Sequence, residues 1–247
     1  MRYKAVVAYD GTDFEGWQSQ VGGNTIQDIL EKRLAFLLEA PTRIFGAGRT
    51  DAGVHANGQV FHFDGNWNAP PEQLVNAFRS NMPETIQVLA VEAAGDAFHA
   101  KSSATGKRYV YHLYEGYAPP TEVRFCWSLG RRRVDTERMR EAVQVLIGEH
   151  DFTAFSGTRA RNRDPNPVKD LRRLEVDRDG PRLRVTTEAS GYMYKMVRSL
   201  VGGLVDVGTG KIGSDDVRRC LESKVRTALI PTAPARGLFL DRVFYGT

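Results

Sequence analysis

The chain has 247 residues, 41% hydrophobic and 26% charged, which excludes a disordered or collagen-like polymer and supplies one large domain or two small ones with a core. Its net charge of +4 is uneven: residues 1–105 carry 8 Lys and Arg against 12 Asp and Glu, residues 106–247 carry 26 against 18, and 26 of the 34 basic residues are Arg, a balance that favours an anionic partner for the second half. Cys126 and Cys220 lack CxxC spacing, no apolar run is long enough to span a bilayer, and MRYKAVVAYD alternates instead of forming a signal peptide, so a soluble, cytoplasmic protein with no membrane association is expected.

In chain order, residues 2–9 predict a strand, followed by the polar loop DGTDFEGWQSQ. Thr25 with Asp28 three residues on resembles a capping box, and Ile26, Ile29, Leu30, Leu34, Leu37 and Leu38 recur at helical spacing, so an amphipathic helix ends near Pro41. A short strand over 43–47 leads into GRTDAGVHA, GQVFHF alternates as a strand, residues 70–80 predict a second helix, and residues 86–93 a further strand. Residues 102–114 predict a long strand with Tyr109, Tyr111 and Leu113 on one face and Arg108, Val110, His112 and Tyr114 on the other. A boundary just before it divides 1–105 from 106–247. Beyond it come a strand near 125–130, a helix over 135–147, strands near 170–177 and 182–188, helices over 192–206 and 214–222, and a last strand over 237–245. This irregular order favours α+β over a doubly wound sheet.

The densest chemical signal is Gly48-Arg49-Thr50-Asp51-Ala52-Gly53-Val54-His55-Ala56. Its small residues let backbone approach a ligand closely and leave Arg49, Asp51 and His55 as the functional groups. An isolated Asp beside Gly is ordinarily a turn residue, and only the string as a whole argues for more. His55, His62, His99, His112 and His150 show no HxxxH or HExxH spacing, and no P-loop or GxGxxG is present, so neither a metal nor a cofactor is expected. The basic run Arg131, Arg132 and Arg133 reads as a solvated approach to the following helix.

AGRTDAGVHA resembles the catalytic loop of the tRNA pseudouridine synthase A family. YDGTDFEGWQSQ, FHAKSSATGKRYVYHLY, GEHDFTAFSG, GYMYKMVRSLVGGLVDVG and TAPARGLFLDRVFY stand in that family's order, so the resemblance covers essentially the whole chain. It implies the pseudouridine synthase fold: two RRM- or ferredoxin-like subdomains meeting near residue 105, an extended, mostly antiparallel sheet, and an active-site cleft between them. It implies an isomerase acting on uridine at positions 38 to 40 in the anticodon stem and loop of tRNA. That reaction breaks the N-glycosidic bond, turns the base and rejoins the same ribose carbon to C5, without oxidation or cofactor. It implies tRNA as partner and a homodimer.

By the same resemblance Asp51 is the catalytic carboxylate. It either adds to the sugar, as in retaining glycosidases, or takes a ribose proton to start elimination, and the sequence leaves both routes open. Desolvation in a closed pocket disfavours a carboxylate, and the family match supplies Arg198 as its cation. On periodicity alone Arg198 falls off the apolar stripe of Met193, Met196, Val197, Leu200, Val201 and Leu204, where a solvated Arg is the ordinary reading. Tyr109 matches the tyrosine that stacks on the target uracil, against the plain reading of a core aromatic in a strand. Lys107 and Arg108 make its rim basic. Arg49 matches the residue that enters the helix as the nucleotide flips out, and Leu238 an apolar wall of the base pocket. Phe98, His99, Lys101 and Ser102, together with Arg159, Arg161 and Arg163, match segments that contact the RNA backbone. Lys101 stands where the family usually carries Arg.

Two other readings compete. A non-catalytic RRM-like RNA-binding protein would use Tyr109 and Tyr111 as a stacking face and have no need of Asp51. A glycoside hydrolase would need a second carboxylic acid as general acid, which no motif offers.

Overall fold

In a computed structural model, which describes residues 1–157 and 166–246, the alternation at the start of the chain becomes strand β1 (Arg2–Tyr9), with Tyr3, Ala5, Val7 and Tyr9 buried. Helix α1 (Ile26–Leu37) begins as its cap requires: the Thr25 hydroxyl accepts from the Asp28 N–H at 3.2 Å and donates to the Asp28 carboxylate at 2.6 Å, an N-cap of about 1 kcal/mol. The chain continues through β2 (Phe45–Gly46), β3 (His55–Asp64), α2 (Pro71–Arg79), β4 (Ile86–Ala94), β5 (Ala104–Tyr114), β6 (Trp127–Ser128), α3 (Thr136–Leu146) and β7 (Gly148–Asp151). It ends with β8 (Val168–Asp179), β9 (Arg182–Ala189), α4 (Met196–Gly208), α5 (Ser214–Ser223) and β10 (Leu238–Tyr245). The expected α+β class, with mostly antiparallel strands, is what forms.

The chain divides into two compact units, Met1–Thr105 with Phe239–Thr247, and Gly106–Leu238. In the first, the strand order is β4-β1-β3-β10. β1 runs antiparallel to both neighbours, β2 pairs antiparallel with β3, and β10 joins β3 in parallel through Phe239 to His55 and Leu240 to Ala56. Tyr3 stacks on Phe63 at 5.2 Å, and α1 and α2 bury Leu30, Leu34, Leu74 and Phe78. In the second unit the order is β5-β9-β8-β7, antiparallel throughout, with β6 parallel to β5. Helix α3 packs on α4, α5 and β8, burying Met139, Leu146, Leu174, Leu200 and Leu204.

Several boundaries differ from those read in the sequence, each for a local reason. The strand expected over 43–47 is only Phe45–Gly46, because the Ile44 N–H donates to the Glu31 carboxylate at 3.0 Å instead of to a ladder. The strand expected over 125–130 is only Trp127–Ser128, because turns bonded from Val123 to Pro119 and from Phe125 to Glu122 occupy the approach. The helix expected from 192 starts at Met196: Lys195 is left-handed (φ 61°), and the Met196 N–H closes a turn on the Met193 carbonyl. Polar GEHD pairs with β8 as β7, which no alternation announced. The sequence division ran from 106 to the end, whereas Phe239 onward is taken up by the first unit through β3.

Candidate active site

Residues 47–54 connect β2 to β3, and their backbone is clamped from the sheet side. The Ala47 N–H donates to the Val60 carbonyl at 2.7 Å, and the buried Gln59 amide donates to the Gly48 carbonyl at 2.8 Å. The Tyr9 and Thr50 hydroxyls share a buried hydrogen bond of 2.8 Å, and burial pushes the Tyr9 phenol far above its ordinary value. The Val54 N–H returns to the Asp51 carbonyl at 3.1 Å around Gly53, whose φ of 75° the turn requires. Asp51 itself is half-buried.

The polar loop after β1 forms the other side of the clamp. The Trp17 N–H donates to the Thr50 carbonyl at 3.1 Å. Gly11 lies so close that an added Cβ would overlap the Val54 carbonyl, and one at Gly16 (φ 92°) would stand 2.6 Å from the Thr50 oxygen and 3.1 Å from the Asp51 carbonyl carbon. Exposed Arg49 donates through Nε to Gln18 at 3.0 Å. His55 is fully buried: its Nδ1 lies 3.1 Å from both the Gly11 N–H and the Asp10 carboxylate, and its ring stacks on Phe239 at 4.5 Å. It holds the loop's shape, tying the segment after β1 and the returning strand to the base of the Asp51 turn.

In the second unit, Tyr109 on β5 is 7% exposed and stands opposite Thr187 of β9. Tyr192 meets it edge-on with ring centroids 5.1 Å apart, and the Tyr192 hydroxyl lies 3.0 Å from that of Thr187. Burial raises the Tyr192 phenol well above its usual value, so it remains a neutral buttress. Lys107 is half-buried, and Arg108 pairs with Glu188 at 2.8 Å. Burial pushes the Glu188 carboxyl up, but Arg108 and Arg173 outweigh it and hold the group below its ordinary value.

Helix α4 is not the amphipathic helix its stripe suggested. All its residues except Arg198 are buried, because Gly202 and Gly203 let the segment Ile230–Ala233 lie on the face expected to meet solvent. A Cβ at Gly202 would overlap the Pro231 carbonyl. Arg198 is therefore held rather than solvated: its Nε donates to the Ala233 carbonyl at 2.7 Å, and its own carbonyl accepts from the Ala233 N–H at 2.9 Å. Leu238 is buried, and the Tyr111 hydroxyl donates to the Pro234 carbonyl at 2.8 Å in the segment leading to it.

The sequence matches the family described as tRNA pseudouridine synthase over residues 5–101 and 142–246. The chain belongs to this family. It is 41% identical over 247 residues to the tRNA pseudouridine synthase A of Bacillus licheniformis and 42% identical over 249 residues to that of Bacillus subtilis, in both cases across 99% of each chain. The corresponding protein of Rhodopseudomonas palustris is 41% identical over 246 residues, again across 99% of each chain.

Of the residues that the resemblance to pseudouridine synthases assigned to RNA contact, Phe98 and His99 are half-buried, while Lys101 and Ser102 are exposed. Their loop is anchored: the His99 N–H donates to Ser103 Oγ at 3.0 Å, His99 Nδ1 accepts from the Lys101 N–H at 3.2 Å, and the Tyr245 hydroxyl donates to the Ala100 carbonyl at 2.8 Å. Arg159, Arg161 and Arg163 lie outside the described residues. Among the described residues no group of three or more His, Cys, Asp or Glu could hold a metal ion, and no helix is long and apolar enough to cross a membrane. Sequence reasoning missed the supports of the site: Tyr9, Gln59 and the loop around Gly11 and Gly16 beneath Asp51, and Tyr192 behind Tyr109. The two glycines in an otherwise polar loop were the available signal.

Proposed function

We propose that this protein isomerises uridine to pseudouridine at positions 38 to 40 in the anticodon stem and loop of tRNA, with Asp51 as the catalytic carboxylate. The reaction class follows from membership of the tRNA pseudouridine synthase family. The observation that carries the assignment of Asp51 is its loop: Asp51 is the sole carboxylate between Glu39 and Asp64, and the backbone on both sides of it is fixed by Trp17, Tyr9, Gln59 and the close approach of Gly16. A reacting group on a rigid support loses little orientational freedom when substrate arrives.

The bond from ribose C1′ to N1 breaks, the uracil turns, C1′ joins C5, and the C5 proton leaves while the freed N1 takes one up, so the product is an isomer. Asp51 supplies the negative oxygen at the ribose by either route, addition to C1′ or removal of a ribose proton. In this reading Arg198 keeps the carboxylate charged, Tyr109 stacks on the uracil, and Leu238 bounds the base. Arg49 occupies the space left by the flipped nucleotide, offsetting an unstacking cost of about a few kcal/mol. Lys107, Arg108, Phe98, His99, Lys101, Ser102, Arg159, Arg161 and Arg163 grip the RNA, largely through phosphates, so affinity falls with salt. Cys126 and Cys220 form no disulfide, which fits a cytoplasmic enzyme. The family resemblance supports a homodimer, to be checked by light scattering.

The test uses unmodified tRNA carrying tritium at uridine C5. Wild type releases the label and the isomerised uridines map to positions 38 to 40; Asp51→Asn binds the tRNA and releases none. Binding without release by the wild type returns the protein to the RNA-binding class, and release by Asp51→Asn removes the carboxylate from the mechanism.

A further inference from the structure

We propose that Arg226 is a positioning residue for Arg198, closing a hydrogen-bonded ring that fixes the direction in which the Arg198 side chain leaves helix α4. This rests on the reading in which Arg198 serves the uridine reaction. Arg226 follows α5, where Lys224 turns the chain through a left-handed conformation (φ 57°). Its guanidinium is half-buried and binds three separate segments. Nη1 donates to Ser199 Oγ at 2.7 Å and to the Ala154 carbonyl at 3.4 Å; Nη2 donates to Thr232 Oγ1 at 2.9 Å.

Ser199 and Thr232 are the chain neighbours of Arg198 and Ala233, and those two residues bond to each other twice, at 2.7 and 2.9 Å. The circuit therefore runs from Arg226 to Ser199, through the peptide link to Arg198, across to Ala233, through the peptide link to Thr232, and back to Arg226. Beside the fork, the Ala233 bonds and the packing of Pro231 on Gly202 and Ile230 on Gly203 hold the segment onto α4. With it, the segment is tied on both sides of the bond that aims Arg198.

The chemistry of the acceptors separates this from ordinary packing. A carbonyl and two hydroxyls are neutral, and they return less to a buried cation than a carboxylate does. Burial accordingly lowers the Arg226 guanidinium from its ordinary value. An apolar side chain of similar volume would fill the same space at lower cost. What it would lack is a planar fork with several N–H donors at fixed angles, the geometry that joins three segments at once.

The experiment compares Arg226→Gln, Arg226→Lys, Arg198→Ala and the double variant Arg198→Ala/Arg226→Gln, measuring kcat and KM for tRNA by tritium release and folded fraction by urea unfolding. Arg226→Gln lowers kcat about 10- to 100-fold, as a misplacement near 1 Å does, while KM for tRNA moves less than about threefold. Arg226→Lys restores part of the loss. The double variant is no slower than Arg198→Ala alone, because both act through one group. Wild-type kcat in Arg226→Gln, a loss no larger than its loss of folded protein, or losses that multiply in the double variant overturn the proposal. If Arg198→Ala itself turns over like wild type, the reading of Arg198 falls with it, and that single variant tells the two failures apart. Should Arg226→Gln not fold, Ser199→Ala and Thr232→Val each remove one arm of the fork: a fall in kcat at unchanged KM supports the proposal, and unchanged kcat in both overturns it.

Discussion

Replacing Gly16 with Ala presses directly on the backbone that carries Asp51. Ordinary contact begins near 3.4 Å, and the new methyl would stand 2.6 Å from the Thr50 carbonyl oxygen, so one of the two segments must give by about 0.8 Å, a movement that overpacked sites oppose with about 1–3 kcal/mol. The positive φ of 92° adds about 1–2 kcal/mol for any residue with a Cβ. The expected loss of stability is therefore about 2–5 kcal/mol in urea unfolding. Any fraction of the shift that passes to Thr50 and Asp51 also slows the folded enzyme, by about 100-fold at full transmission. Gly23→Ala is the matched control: it lies in the same loop with φ 68° and has nothing within 4 Å of its added Cβ. It costs about 1 kcal/mol and leaves kcat unchanged. Equal stability losses in the two variants, with kcat unchanged in both, would refute the close-approach argument.

Two further outcomes follow from other contacts. Gly202→Ala forces the Pro231 carbonyl off α4 and loosens Ala233 against Arg198; kcat falls about tenfold or more while urea stability drops by about 1–3 kcal/mol, both measured on the purified variant. For Glu115, burial pushes the carboxyl up, but the Val134 N–H and Arg178 outweigh it and hold the group below its ordinary 4.5. A lowered folded value means that the ionised form stabilises the fold above pH 4.5 and that the contribution fades as pH falls through the folded value. Glu115→Gln therefore costs about 2 kcal/mol at pH 7, and acid titration followed by circular dichroism shows its curve converging on wild type once the pH has fallen below the lowered folded value.

What was legible in the sequence is what depends on neighbours along the chain. The Thr25 cap, the alternation of β1 and the two faces of β5 were set by local spacing, and Tyr109 and Tyr111 are buried on the same face. What was hidden depends on residues brought from afar. Helix α4 kept its stripe, but its second face is covered by a segment whose approach rests on two glycines, so a periodicity argument assigned Arg198 to solvent. Met193 fits helical spacing yet stands before the helix, because Lys195 takes a left-handed conformation that no apolar pattern reveals. The loop of Asp51 stands out by its motif; the rigidity of that loop does not, since Trp17, Tyr9 and Gln59 reach Thr50 and Gly48 from three different stretches of chain.

The parallel pairing of β10 with β3 bears on when the protein becomes competent during synthesis. Asn57 and Asp241, which bond across this pairing, are separated by 184 positions. His55, at the foot of the Asp51 turn, lacks its Phe239 cover until that distant stretch has left the ribosome. The nascent first unit thus remains unfinished through the translation of the whole second unit, and the loop of Asp51 gains its last support only as a late event.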